Sequence, residues 1–170
     1  MTEGAVIWIG GLPSSGKSTL ALAVQARLRK SGLACCLLDG DQVREVLHPR
    51  PGYDESDRDA FYATLGSLAA LLERQGLFVV VAATAHRREY RERARSSARR
   101  FVEVWVDVPL EECRRRDAKG LYAAAAAGGT DSFPGANVDY EPPLQADLVA
   151  RGGLDSSAVD RLSDLLGIER

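Results

Sequence analysis

Gly10-Gly11-Leu12-Pro13-Ser14-Ser15-Gly16-Lys17-Ser18-Thr19 is the stretch from which the rest of the chain can be read. It fits the spacing G-x-x-x-x-G-K-[ST], with Gly11, Gly16, Lys17 and Ser18 at the four fixed positions. The flanks agree. Residues 5–9 (AVIWI) form a continuous apolar run expected of a buried strand, and residues 18–30 carry Leu20, Leu22, Val24 and Leu28 at helical intervals. The glycines let the backbone curl so that several N–H groups face phosphate oxygens. The helix start adds its unpaired N–H groups and the positive end of its dipole. Lys17 then reaches the β- and γ-phosphates and the Ser18 hydroxyl sits on Mg²⁺, with Ser14, Ser15 and Thr19 in the same cradle. The expectation is a chain that binds a nucleoside triphosphate.

Outside that stretch the composition is ordinary. A length of 170 residues fits one domain, 1–170, with a proper core. The net charge of −2 points to neither nucleic acid nor an anionic membrane surface. No apolar run approaches a membrane span, and the N-terminus lacks the order of a signal peptide. Cys35, Cys36 and Cys113 give neither metal spacing nor an even disulfide set, so the chain reads as reduced and cytoplasmic. Of 22 basic residues only Lys17, Lys30 and Lys119 are lysine. Lysine is a compact, mobile point charge suited to following a transferring phosphoryl group, whereas arginine is a planar fork. That singles out Lys119.

Downstream, residues 33–38 read as a strand that ends in Asp39-Gly40-Asp41. Short and long helices follow over 42–47 and 57–74, separated by a Pro/Gly-rich loop over 48–56. Residues 78–84 (FVVVAAT) suit a central parallel strand. Residues 86–100 read as a charged helix, with Arg88/Glu92 and Glu89/Arg93 at i,i+4 spacing on a solvated face. A strand over 101–108, a helix over 110–118, a lid over about 119–143, a strand over 144–150 and a helix over 155–166 complete the chain. Strand and helix alternate throughout, which argues for an α/β fold of three α/β/α layers around a five-stranded parallel sheet. Ligands of such sheets bind at the carboxyl ends of the strands, where the glycine-rich loop, Asp39, Asp41, residues 84–86 and Asp107 all fall.

A carboxylate of Asp39-Gly40-Asp41 at a strand end could take a proton from an attacking hydroxyl or hold a metal-bound water. The same residues are also good chemistry for a turn and a helix N-cap. Arg44 and Arg58, on expected helix starts, read by themselves as surface ion-pair residues or as ligands for an anion. Phe133, in a glycine-rich loop, either folds under that loop or stacks on a planar ligand.

Taken together, these motifs resemble the adenylylsulfate kinase (APS kinase) family of P-loop kinases. The residues that carry the likeness are GLPSSGKST, LDGDQVR (38–44), GYDESDR (52–58), FVEVWVDVPLEECRRRDAKGLY (101–122) and FPGANVDYEPP (133–143). The resemblance implies a Mg²⁺-dependent enzyme that moves the γ-phosphate of ATP to the 3′-hydroxyl of adenosine 5′-phosphosulfate (APS), giving PAPS in sulfate assimilation. By the same likeness, Asp41, Lys17 and Lys119 are catalytic, and Gly11, Ser14, Ser15, Gly16, Lys17, Ser18, Thr19 and Arg116 bind ATP. Asp39, Arg44, Tyr53, Arg58, Lys119 and Phe133 face the acceptor, Ser18 holds Mg²⁺ with Asp41 as a second candidate, and a homodimer is expected. No nucleic-acid or membrane partner is implied.

The chain also departs from the family. Phe61 stands where the family carries an acceptor-binding Asn, Thr84-Ala85-His86 replaces Ile-Ser-Pro, and Ala123 to Ala127 replaces a basic stretch of the lid. Two alternatives follow from these departures. One is a kinase of the same fold for another nucleotide-like or small hydroxyl acceptor. The other is an ATP-binding switch or regulatory subunit without acceptor chemistry.

Overall fold

The computed structural model describes residues 3–129 and 133–169, so residues 130–132 of the expected lid lie outside the described residues. The elements run β1 (Ala5–Gly10), α1 (Lys17–Lys30), β2 (Cys35–Asp39), α2 (Gly40–Val46), α3 (Glu55–Arg74) and β3 (Phe78–Ala82). They continue α4 (Arg88–Ser97), β4 (Phe101–Val106), α5 (Leu110–Arg116), α6 (Leu121–Ala126), β5 (Leu148–Ala150) and α7 (Ser156–Leu166). The sheet is ordered β2-β3-β1-β4-β5, and every pairing is parallel.

β1 lies at the centre, and all six of its residues are buried. Because side chains alternate across a strand, β1 feeds two cores. Ala5, Ile7 and Ile9 join Leu20, Val24, Leu28 and Leu162 on one face, and Val6 and Trp8 join Phe61, Leu65 and Tyr90 on the other. β3 divides in the same way, with Phe78 and Val80 on the first face and Val79 and Val81 on the second. A strand buried on both sides has no polar position to spare, which is why both read as unbroken apolar runs.

Boundaries follow the caps. α3 starts at Glu55, two residues earlier than the periodicity suggests, because the Asp54 carboxylate accepts from Asp57 N at 2.8 Å. α2 starts at Gly40 because Asp39 is its N-cap, accepting from Asp41 N at 3.0 Å. β5 is only three residues long, against an expected seven. The Asp147 side chain turns inward to accept from Glu103 N at 2.7 Å, so the ladder begins after it. The alanine run of the lid forms α6, as alanine's helix propensity favours. Asp117 caps it from outside, its carboxylate accepting from Tyr122 N at 2.9 Å and Ala123 N at 3.0 Å. Among the described residues no helix is long and apolar enough to cross a membrane.

Candidate active site

A cleft of about 1310 Å³ opens across the carboxyl ends of β1, β2 and β3. One end is the glycine-rich loop and the start of α1. Gly16 is the N-cap of α1, left-handed at φ 101° and with no side-chain cap, so the first N–H groups of the helix face the cleft without a competing side chain. Gly11 (φ 152°) is equally constrained, since a Cβ there would lie 2.8 Å from Val106 O. Ser15 is fully buried, and its Oγ has no partner among the described residues.

The charged groups of this end hold one another. Lys17 Nζ donates to Leu12 O at 2.8 Å, and burial, reinforced by nearby Lys119, pushes its pKa down to about 8. Ser18 Oγ donates to Asp39 Oδ2 at 2.7 Å. Lys119 Nζ reaches across from the lid to Asp41 Oδ2. Burial works against the Lys119 charge, but this bond and the negative charges of Asp41 and Asp39 together outweigh it and the pKa is raised. Arg116 lies over the loop, donating to Ser15 O at 3.4 Å, and is steered there by Glu112 at 3.1 Å. The lid is tied to the same loop, with Ala118 N donating to Ser14 Oγ and Tyr122 OH donating to Pro13 O at 2.9 Å.

The other end of the cleft is cationic and aromatic. Arg44 and Arg58 are buried there, at 4 % and 6 % exposed, so neither lies on the surface. Arg44 donates to Gly52 O at 2.8 Å, and its guanidinium lies 3.9 Å from the Phe61 ring centre and 4.5 Å from that of Tyr53. These partners are neutral, as is Tyr62, which also bonds Arg44, so the Arg44 charge stays available to an anion. Burial, with Arg44 adding to it, pulls the Arg58 pKa down. Phe133 lines the cleft and also meets the Tyr122 ring edge-on at 5.0 Å.

Two expectations need correction. Of residues 84–86 only Thr84 lines the cleft. Ala85 turns the chain inward at φ 39°, and His86 ends up behind the wall, edge-on to Tyr90 at 5.5 Å. Burial, with Arg58 and Arg87 nearby, pushes the His86 pKa down to about 4, so the ring is neutral. Asp107 likewise faces Arg151 at 2.9 Å and does not line the cleft. Nor is α4 simply a solvated face. Its arginines reach other elements, Arg93 to Asp59, Arg95 to Asp147 and Arg91 to Glu103.

The turn after β5 is a part of the site that sequence reasoning missed. Arg151, Gly152, Gly153 and Leu154 line the cleft beside the loop. A Cβ on Gly153 would lie 2.7 Å from Gly16 O, so only glycine lets this turn close on the loop. The Gly152-Gly153 pair following a short strand was the available signal.

The chain is also similar to known proteins. The family profile described as Adenylylsulphate kinase matches residues 3–151. An adenylyl-sulfate kinase of Rippkaea orientalis is 41 % identical over 154 residues, spanning 91 % of this chain and 85 % of that protein. One from Paraburkholderia xenovorans is 44 % identical over 148 residues, spanning 86 % of this chain and 83 % of that protein. Among solved structures, the Mycobacterium tuberculosis APS kinase in complex with AMPPNP and APS superposes with a TM-score of 0.90 at 35 % identity. That match covers 98 % of this chain and 99 % of that one.

Proposed function

This chain belongs to the adenylylsulphate kinase family, ATP-dependent enzymes that phosphorylate APS to PAPS, and from that premise we propose how its residues divide the reaction. One observation carries the reading. A single cleft has a phosphate cradle at one end, two buried arginines at the other, and Asp41 with Lys119 also on its walls.

Lys17 and the loop backbone bind the β- and γ-phosphates, and Arg116 covers them from the lid side. Arg44 and Arg58 take the anionic phosphosulfate of APS, while Tyr53 and Phe133 supply flat faces for its nucleoside. In the structure the Asp41 carboxylate is engaged by Lys119. When Lys119 moves to the transferring phosphoryl group, Asp41 is left to orient the 3′-hydroxyl and accept its proton. Phosphoryl transfer needs chiefly positioning and charge neutralisation, which these groups provide.

Mg²⁺ fits the donors present. This ion takes one or two protein oxygens together with substrate phosphates, and the Ser18 hydroxyl and Asp39 carboxylate are such oxygens. We assign the metal to Ser18 and Asp39, and Asp41 to the acceptor. When bound, the ion neutralises phosphate charge.

The deciding experiment is ADP release from Mg-ATP with APS, with other nucleotides and nucleosides, and with no acceptor. Turnover with APS that yields the 3′-phosphorylated product is expected. Silence with APS and turnover with another acceptor would overturn the assignment of the arginine end. Neither alternative is favoured by the relatives.

Two further outcomes follow from the site. Affinity for Mg-ATP should fall as pH rises through about 8, because phosphate binds the ammonium form of Lys17 and the free enzyme loses that proton there. The loss approaches about tenfold per pH unit. Titration between pH 7 and 9.5 reads it, and a flat profile would contradict the role of Lys17. At the other end, Phe61 supports Arg44 by its face instead of offering the acceptor a hydrogen bond. Phe61→Leu keeps an apolar side chain in the core but removes that face, and should raise the KM for APS about fivefold with the KM for ATP unchanged. Initial rates at varied APS would show it. From the family likeness we also propose a cytoplasmic homodimer, a state that sedimentation equilibrium reads directly.

A further inference from the structure

Ala85 is an L-residue with φ 39°, fully buried, at the point where the chain leaves β3. That backbone conformation is unfavourable for any residue with a Cβ and persists only where surrounding groups hold it. Two side chains do so. Tyr62 OH accepts from Ala85 N at 3.1 Å, and Arg91 Nη1 donates to Ala85 O at 2.5 Å.

Arg91 is 3 % exposed, and all three of its nitrogens are used on different parts of the chain. Nε donates to Glu103 Oε1 on β4 at 2.8 Å, which compensates the buried charge. Nη2 donates to Glu141 O at 2.6 Å, in the segment by which the chain returns from the lid. Glu141 is fastened to the same turn twice more. Its N donates to His86 O at 2.8 Å, and its Oε2 accepts from Arg88 N at 2.8 Å, capping α4. The Tyr140 ring lies over the Arg91 guanidinium at 5.5 Å.

We propose that Arg91 is a positioning residue that locks the returning end of the lid to the strained turn behind the acceptor wall. Thr84 and Tyr62, which line the cleft, both adjoin Ala85, and Phe133 lies eight residues before Glu141. The guanidinium fork therefore sets how the two sides of the acceptor pocket stand relative to each other. The phosphate loop makes none of these hydrogen bonds, so the lock bears on the acceptor half rather than on ATP. Only arginine suits the position, because the ammonium of lysine can satisfy Glu103 but lacks the fork that reaches both carbonyls. The inference rests on the kinase reading above and deepens its acceptor half.

Arg91→Lys tests it with two readouts. Amide exchange should speed up about tenfold or more in residues 85–88 and in residue 141 together, while the amides of β1 and α1 keep their protection. In steady-state kinetics the KM for APS should rise about tenfold with kcat within about threefold, and the dissociation constant for ATP should be unchanged. Glu103→Gln is the control. It weakens the ion pair but keeps both carbonyl bonds, so it should lower thermal stability without moving the APS KM. Should Arg91→Lys not fold, Glu141→Ala removes the side-chain bond to Arg88 N, a second tie between the lid return and the same turn, and should raise the APS KM about threefold. Loosening of only one segment, an unchanged APS KM, or an equal loss of ATP affinity would overturn the proposal. So would an APS KM that moves as far in Glu103→Gln as in Arg91→Lys. Absence of APS turnover by the unaltered enzyme is a different failure, that of the kinase reading, and the exchange data would then decide the lock alone.

Discussion

Lys17→Ala should leave a folded protein whose kcat/KM is lower by about 10³-fold or more, the scale seen when a preorganised donor to a developing charge is removed. The fold should tolerate the change. Lys17 is half-buried and depressed in pKa, and it donates to Leu12 O at 2.8 Å within its own loop. Its charge is thus held at a cost, and removing it relieves a desolvation penalty as much as it breaks a bond. What disappears is the cation that we assign to the β/γ bridge, a place that neither lid cation takes in the structure. Lys119 comes from the lid, and Arg116 lies over Ser15 O. The measurement is steady-state ADP release beside a melting curve. Turnover within tenfold of the unaltered enzyme, from a protein with normal melting behaviour, would remove Lys17 from the chemistry.

Asp41→Asn should lower kcat by about 10³-fold, within the range for loss of a general base, while ATP affinity stays within about twofold. The two effects separate because of geometry. Asp39, not Asp41, holds the Ser18 hydroxyl and caps α2, so the ATP end keeps its carboxylate when Asp41 is neutralised. Asp41 is exposed and its side chain contacts Lys119, so the substitution removes one ion pair worth little to stability. Asparagine keeps the shape and can still orient a hydroxyl but cannot take its proton. Rate measurements at saturating ATP and APS, with ATP binding followed separately, distinguish the roles. A variant of near-normal kcat would assign Asp41 to binding alone. A large loss of ATP affinity would move it to the metal.

These two predictions differ in how far the sequence could support them. The role of Lys17 follows from spacing. Four fixed residues between an apolar run and a helical pattern leave one local geometry, in which glycines take φ values closed to other residues and Lys17 follows Gly16 into the helix. The central strands were legible for the same reason, since a strand buried on both faces needs an unbroken apolar run wherever it lies in the chain. Asp39 and Asp41 were not separable in this way, because both end one strand and both suit a turn. Only the cap geometry of α2, with Asp39 turned back to Asp41 N and to Ser18, divides them.

What the sequence by itself determined about this protein is therefore its local, short-range chemistry. That comprises the curl of the glycine-rich loop into a helix and the alternation that builds a parallel sheet. What the tertiary structure decided is which side chains face the cleft. Arg91 and Arg93 are two residues apart on one charged helix, yet one is buried across Ala85, Glu103 and Glu141 and the other reaches Asp59 near the surface. His86 follows Thr84 by two positions, yet a single inward turn at Ala85 puts one behind the wall and the other on it. Spacing along a chain constrains contacts only within a turn or a ladder. The direction of a side chain across elements depends on how helices settle on the sheet, and that is set by the packing of both cores at once.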